Sequence, residues 1–86
     1  MSTKQEALKV IRDCVGSDAV TYNTTLAELF EEYETDMVNL VDSLESEFGV
    51  ELYDELLEDV ETVGELCQAV VRAIREAESD EADLIE

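Results

Sequence analysis

The feature that most constrains the fold of this chain is the spacing of apolar residues between positions 37 and 48. Apolar side chains recur there every three or four residues, which is the spacing of one face of an α-helix. The members of this pattern are Met37, Val38, Leu40, Val41, Leu44 and Phe48. We predict a helix from about Thr35 to Phe48 that stops at Gly49, because glycine commonly follows the last helical residue. Asp36 suits the positive end of this helix.

Two further helices are predicted from caps and periodicity. The first begins at Ser2 or Thr3 as the N-cap and ends at Gly16. Thr62 and Glu65 have the spacing of a capping box, which opens the last helix. The predicted buried face of that helix consists of Val63, Leu66, Cys67, Val70 and Ile74.

Between these helices lie segments with weaker signals. Residues 16–34 show no sustained period and are predicted to form a long ordered loop with room for one helical turn. Residues 50–52 are predicted to be a linker, after which Asp54 caps a short third helix. The fold class is therefore an all-α, four-helix bundle with a long first loop and a short third helix. We expect one domain over residues 1–78 and an acidic flexible tail over residues 79–86.

The net charge restricts the partners of this chain. It has 24 acidic residues, five basic residues and no histidine, for a formal charge of −19. Such a chain repels the phosphates of nucleic acids and anionic membrane surfaces. It has neither an apolar run long enough to span a membrane nor a secretory signal, so we expect a cytoplasmic location. We also expect a monomer. A basic protein surface is the natural partner, and a merely solvated acidic surface is the alternative.

The residue types that catalysis requires are scarce. The chain has no histidine and no glycine-rich phosphate loop. Cys14 and Cys67 are far apart and lie among apolar residues, so both are predicted to be buried structural thiols. We therefore expect no enzyme, no catalytic residue and no metal centre. Loose divalent-cation binding by the acidic surface is an alternative, although EF-hand spacing is absent.

The order of these segments resembles that of acyl carrier proteins over roughly residues 3–76. The stretch over residues 38–52, VNLVDSLESEFGVEL, is similar to the family's VELVMALEEEFGIEI stretch. The segment over residues 54–66 resembles the family's DED…ITTVGDAV segment without a gap. Val20-Thr21 and Leu26-Ala27-Glu28 match its VT….FVED stretch. The resemblance implies the carrier-protein fold.

The resemblance also implies a phosphopantetheine arm, which the family attaches to the serine of a D-S-L tripeptide. In the ungapped register these three positions are Tyr33, Glu34 and Thr35. A carboxylate has no hydroxyl with which to form the phosphodiester, so no phosphopantetheine cofactor is expected. Thr35 has a hydroxyl group, but it lies one position after the one that the modified serine occupies in the family.

A second D-S-L tripeptide occurs at Asp42-Ser43-Leu44. The family has apolar residues at +4, +6, +7 and +10 from its serine and F-G at about +14 and +15. Counted from Ser43, Glu47 and Gly49 occupy the +4 and +6 positions, whereas every position fits when counted from Glu34. Ser43 is therefore interpreted as a mid-helix residue. A genuine acyl carrier modified at Ser43 is the alternative function.

The resemblance further implies a partner-binding surface along the helix over 35–48 and the region beyond it. Its partners would be the basic surfaces of acyl-transfer, fatty-acid or polyketide enzymes. Met37 either contributes a docking contact or packs in the core, and Glu34 either mimics a phosphate at the helix N-terminus or is a solvated carboxylate. The predicted partner-binding residues are Glu34, Asp36, Met37, Asp42, Glu45, Glu47, Asp54 and Glu55.

Overall fold

The structure is a computed structural model that describes the backbone of residues 2–85 and the side chains of residues 2–77. The helices are α1 (Thr3–Val15), α2 (Leu26–Tyr33), α3 (Met37–Phe48), α4 (Asp54–Leu57) and α5 (Val63–Ile85). The predicted all-α class is confirmed, and the described part of the chain contains five helices where four were expected.

All five helices contribute to one apolar core. α1 packs against both α5 and α3, and α4 packs against α5. No polar or charged side chain among the described residues is buried. The core is therefore held by apolar burial, at about 25 cal/mol for each Å² removed from water. The buried residues are Ala7, Leu8, Ile11, Val20, Leu26, Leu29, Leu40, Leu44, Leu52, Leu56, Val63, Leu66, Cys67, Ala69, Val70 and Ala73.

The caps of α1 and α5 confirm the sequence predictions. Ser2 is the N-cap of α1, and its side chain forms a capping box with Gln5. The Thr62 hydroxyl accepts a hydrogen bond from the Glu65 backbone N–H at 3.2 Å, while a Glu65 carboxylate oxygen accepts one from the Thr62 backbone N–H at 3.0 Å. Gly16 has a left-handed conformation with φ of 74°.

The prediction of a long loop over residues 16–34 was wrong in its second half, where α2 forms. The Thr25 hydroxyl caps this helix by accepting a hydrogen bond from the Glu28 backbone N–H at 3.2 Å. The Leu26 backbone N–H also donates to the Glu61 carbonyl at 2.9 Å, next to an isolated antiparallel bridge between Thr25 and Thr62. Contacts distant in sequence thus fix the start of α2, and its eight residues are too few to display a period.

The starts of α3 and α4 also differ from the predictions. Asp36 is the N-cap of α3, so Thr35 lies outside the helix. Tyr53 occupies the N-cap position of α4 without a side-chain cap hydrogen bond, and Asp54 is the first helical residue. The predicted end of α3 is confirmed, because Gly49 is left-handed with φ of 64°.

The last helix is longer than expected. α5 continues beyond Arg75 to Ile85 without a break at the predicted domain boundary after residue 78. The side chains of 78–86 lie outside the described residues, so the acidic flexible tail over residues 79–86 stays a prediction. Within the described residues, no helix combines the length and apolarity required to cross a bilayer.

The two cysteines have different environments. Cys67 is buried in α5 as predicted, and burial raises the pKa of its thiol to about 12. Cys14 is exposed, so the prediction that both thiols are buried was wrong. Cys14 lies in the last turn of α1, at the edge of the α1–α3 contact. Ile74, also predicted to be buried, is half-buried at the edge of the core.

Candidate docking surface

The acidic surface begins at the first turn of α3. An Asp36 carboxylate oxygen accepts a hydrogen bond from the Asn39 backbone N–H at 2.8 Å. This bond satisfies one of the N–H groups that have no partner inside the helix, and it places a negative charge at the positive end of the helix dipole. Asp36 is therefore the anion held at this helix N-terminus.

Glu34 lies farther from α3 than the sequence predicted. It is the C-cap of α2, and Thr35 and Asp36 separate it from the first residue of α3. Its φ of 52° and ψ of 36° are left-handed, which makes it the only non-glycine residue with positive φ among the described residues. The placement of Glu34 at the N-terminus of α3 was therefore wrong, since Asp36 takes that position.

A groove separates the start of α3 from α4, and we call it the α3/α4 groove. It has a volume of about 550 Å³. Burial of Leu56 anchors α4 to the core, which leaves the neighbouring acidic side chains in solvent. Apolar Met37 and Leu57 line the groove together with three carboxylates, those of Asp54, Glu55 and Glu58.

The solvent-facing side of α3 continues this surface. Val38 is 75% exposed, whereas Leu40 and Leu44 are fully buried. Asp42 lies one helical turn after Val38 and is exposed on the same side. An exposed valine is thus next to Met37 and in line with a carboxylate on the solvent-facing side of α3.

Two of the predicted partner-binding residues have other positions. A Glu45 carboxylate oxygen accepts a hydrogen bond from the Leu52 backbone N–H at 2.7 Å, so this half-buried side chain holds the linker after α3. Glu47 lines a different groove, between α1 and α3, together with Lys9 and Asp13. The structure therefore brings Met37, Asp54 and Glu55 together but separates Glu47 from them.

Ser43 lies in the middle of α3, as predicted. The hydroxyl group of this half-buried residue points toward Cys14 of α1, with 3.8 Å between the oxygen and sulfur atoms. Both residues line the groove between α1 and α3, which we call the α1/α3 groove and which has a volume of about 730 Å³. Ser43 is therefore flanked by a second helix and does not stand at a helix end.

The charges of the chain are segregated. No lysine or arginine occurs between Arg12 and Arg72, so α2, α3 and α4 carry acidic charges only. All five basic residues lie in α1 and α5. The described acidic side chains nevertheless do not converge on a position that could hold a metal ion. This surface can therefore attract a basic protein surface through many separate, exposed carboxylates.

Sequence reasoning missed Leu57 and Glu58 of this surface, and it was wrong to count Val38 among the apolar residues of one helix face, because this side chain is 75% exposed. A signal for Val38 was present, because it is two residues before Leu40 and therefore about 200° around the helix from a core position. Leu57 and Glu58 could not be assigned in the same way, since the orientation of a one-turn helix depends on its tertiary contacts.

The sequence matches no protein-family model, and no solved structure matches this chain significantly. The resemblance to acyl carrier proteins consequently depends on the sequence segments quoted above.

Proposed function

We propose that this chain is an acyl-carrier-like protein that carries no phosphopantetheine arm and acts by binding acyl-transfer, fatty-acid or polyketide enzymes. The observation that carries this proposal is the residue at the attachment position. In the register that the resemblance implies, Glu34 takes that position; it lies in the connection between α2 and α3 and has no hydroxyl group to accept the arm. Binding, rather than transport of an acyl chain, is the activity left to such a scaffold.

The order and ends of the helices support the carrier-like fold. The helix bearing the VNLVDSLESEF segment ends at Gly49, and a linker, a short helix and a capped last helix follow it. This succession is the one that the resemblance implies. α2 is an additional element of the segment before α3.

The α3/α4 groove and the neighbouring side of α3 are the proposed docking surface. Met37, Leu57 and Val38 supply apolar contacts, and the surrounding carboxylates supply attraction for lysine and arginine. Each exposed ion pair contributes about 0–1 kcal/mol, so several weak contacts would add to a transient complex. The uniform negative charge of α2 to α4 would accelerate encounter at low salt.

Glu34 is an exposed carboxylate in the connection between α2 and α3. The phosphate-mimic hypothesis required it to lie against the free N–H groups of α3, and Asp36 occupies that place. We therefore expect Glu34→Gln to leave affinity for a basic partner within about twofold. A loss of tenfold or more would restore a specific role for this side chain.

Modification at Ser43 is the alternative function, because this hydroxyl lines the α1/α3 groove and is only half-buried. The test is incubation with coenzyme A and a promiscuous phosphopantetheinyl transferase, followed by intact-mass measurement. We expect no added mass on the natural chain. An arm mapped to Ser43 and lost in Ser43→Ala would replace our proposal with a genuine acyl carrier.

A restored attachment site provides the matched positive control. The double variant Glu34→Ser, Thr35→Leu recreates the serine and leucine in the register that the resemblance implies. Modification of this variant at position 34, with none on the natural chain, would support both the register and the missing hydroxyl. Modification of neither chain would weaken the carrier-like assignment itself.

Docking can be tested with a synthetic amphipathic helix of lysine, leucine and alanine as the probe. We expect Asp54→Asn with Glu55→Gln to weaken binding about threefold or more, since two exposed carboxylates are lost. The matched control is Glu31→Gln with Glu32→Gln, which removes the same charge from exposed positions of α2. Equal weakening by both double variants would show attraction to net charge without a docking surface.

A further inference from the structure

A groove between the start of α1 and the middle of α5 has a charge opposite to that of the rest of the surface. We call it the α1/α5 groove, and its volume is about 500 Å³. Lys4 lines it from α1 and Arg75 from α5, and no acidic side chain does so among the described residues. In a chain with 24 acidic and five basic residues, a groove whose charged lining residues are both cationic is a local reversal of charge.

The other two grooves provide the comparison. The α3/α4 groove has carboxylates and no basic residue in its lining. The α1/α3 groove combines Lys9 with Glu6, Asp13 and Glu47. Among the residues whose side chains are described, only the α1/α5 groove of these three has basic residues and no acidic residue in its lining.

The α1/α5 groove also has an apolar component. Val71 and Ile74 line it and are half-buried, so part of each side chain remains in contact with solvent. Both belong to α5, one turn apart, between Gln68 and Arg75. The Lys4 ammonium also lies 5.1 Å from the centroid of the Tyr22 ring, a residue outside the groove lining.

We propose that the α1/α5 groove binds an acidic amphipathic helix of another protein. Lys4 and Arg75 lie on different helices, so carboxylates on the incoming helix can pair with a cation on either side. Apolar residues spaced three or four apart on that helix would cover Val71 and Ile74, as in other complexes that place a helix in a groove. Charge complementarity selects this occupant over a basic segment, which the α3/α4 groove attracts. This inference does not depend on the proposed function.

The probe is a fluorescein-labelled synthetic helix of about four turns, with leucine at i, i+3, i+4 and i+7 and glutamate on the flanks. Binding is measured by fluorescence anisotropy at about 0.15 M salt, where the Debye length of about 8 Å screens most of the net charge of the chain. Backbone amide chemical shifts locate the site. We expect saturable binding with the largest shifts at Gln68, Val71 and Arg75.

Charge reversal on α5 provides the matched pair of variants. Arg75→Glu should weaken binding at least about fivefold, because it replaces an attractive contact with a repulsive one. Arg72→Glu changes the net charge equally, and Arg72 is also exposed on α5 but does not line the groove, so its affinity should change less than about twofold. Circular dichroism of both variants should match that of the natural chain, because both side chains are exposed.

Three results would overturn the proposal. One is equal weakening by Arg75→Glu and Arg72→Glu, which would reflect net charge only. Another is retention of affinity by a probe whose leucines are replaced by serine, since the apolar contacts would then contribute nothing. The third is the absence of saturable binding, or shifts that map to the α3/α4 groove.

Discussion

The α1/α5 side of this protein and its α2–α4 side differ in both packing and charge. α1 and α5 together supply more than half of the buried residues and all of the basic ones, whereas α4 buries Leu56 alone. The α2–α4 side consists of shorter helices, joined through the left-handed Glu34, and its charges are all acidic. The difference indicates that the α1/α5 side supplies more of the stability and that the proposed docking surface lies on the side with fewer buried residues.

Substitutions that create a cavity in the core should have the largest effects on the free energy of unfolding, and they compare the α1/α5 side with the α2–α4 side. Leu66→Ala in α5 should lower the free energy of unfolding by about 3–5 kcal/mol, and Leu56→Ala in α4 by about 2–3 kcal/mol, because Leu66 is fully buried whereas Leu56 retains 5% exposure at the edge of the core. Urea denaturation followed by circular dichroism measures both values. A larger loss for Leu56→Ala would mean that α4 carries more of the stability than its burial indicates.

Removal of the α3 cap should have an intermediate effect. Asp36→Ala deletes the acceptor for the Asn39 backbone N–H and should lower the free energy of unfolding by about 1 kcal/mol. Asp42→Ala is the control, since this exposed residue of α3 removes the same charge but does not cap the helix. Equal effects of the two substitutions, measured by urea denaturation, would argue against the cap.

A substitution at Glu34 should stabilise the protein slightly. A left-handed residue with a Cβ costs about 1–2 kcal/mol, and glycine removes that cost but adds chain entropy to the unfolded state. We expect Glu34→Gly to gain about 0.5 kcal/mol, which corresponds to about 2–4 °C in the melting temperature. Glu34→Ala keeps the left-handed cost and should show no such gain. Equal melting temperatures of the glycine and alanine variants would contradict the left-handed conformation.

The smallest effect concerns the capping box of α5 and its dependence on pH. Hydrogen bonds donated by the Glu61 and Thr62 backbone N–H groups hold the pKa of Glu65 below its usual value. Because the pKa is lowered in the folded state, this stabilisation is complete above the unfolded pKa of about 4.3 and is lost as pH falls through the folded pKa. The destabilisation by Glu65→Gln should therefore be greater at neutral pH than in acid.

The control for this measurement is Glu61→Gln, which removes one negative charge without removing a side-chain acceptor of these hydrogen bonds. The difference between the two variants, obtained by thermal unfolding at several pH values, isolates the contribution of the capping box. A difference that does not decrease as the pH falls would contradict the assigned hydrogen bonds.

Local signals in the sequence predicted much of the helical framework. Several predicted helix ends agree with the structure, because a cap acts within one helical turn. These ends are marked by Ser2, Gly16, Gly49 and the Thr62–Glu65 pair. The α2 helix was missed for the complementary reason. Its start is fixed by backbone contacts with the segment before α5, which lies more than 30 residues away along the chain.

The candidate docking surface was predictable only in part. Met37, Asp54 and Glu55 were named from the resemblance and do line one groove. Glu45 and Glu47 were named on the same grounds, but the linker engages Glu45 and the turn of α3 directs Glu47 to the α1/α3 groove. Residue type alone does not distinguish these carboxylates. Their positions in the folded chain decide which of them line the proposed docking surface and which form hydrogen bonds that stabilise the fold.

By itself, the sequence determined the all-α class, the ends of the helices at Gly16 and Gly49, the segregation of charge and the lack of a hydroxyl at position 34. These properties depend on residue type and on neighbours within a turn. Tertiary structure alone decided that α2 begins at Leu26 and that Leu57 and Glu58 line the α3/α4 groove. It also decided that Lys4 and Arg75 border one groove, since the packing of α1 against α5 brings together residues that are distant in the chain.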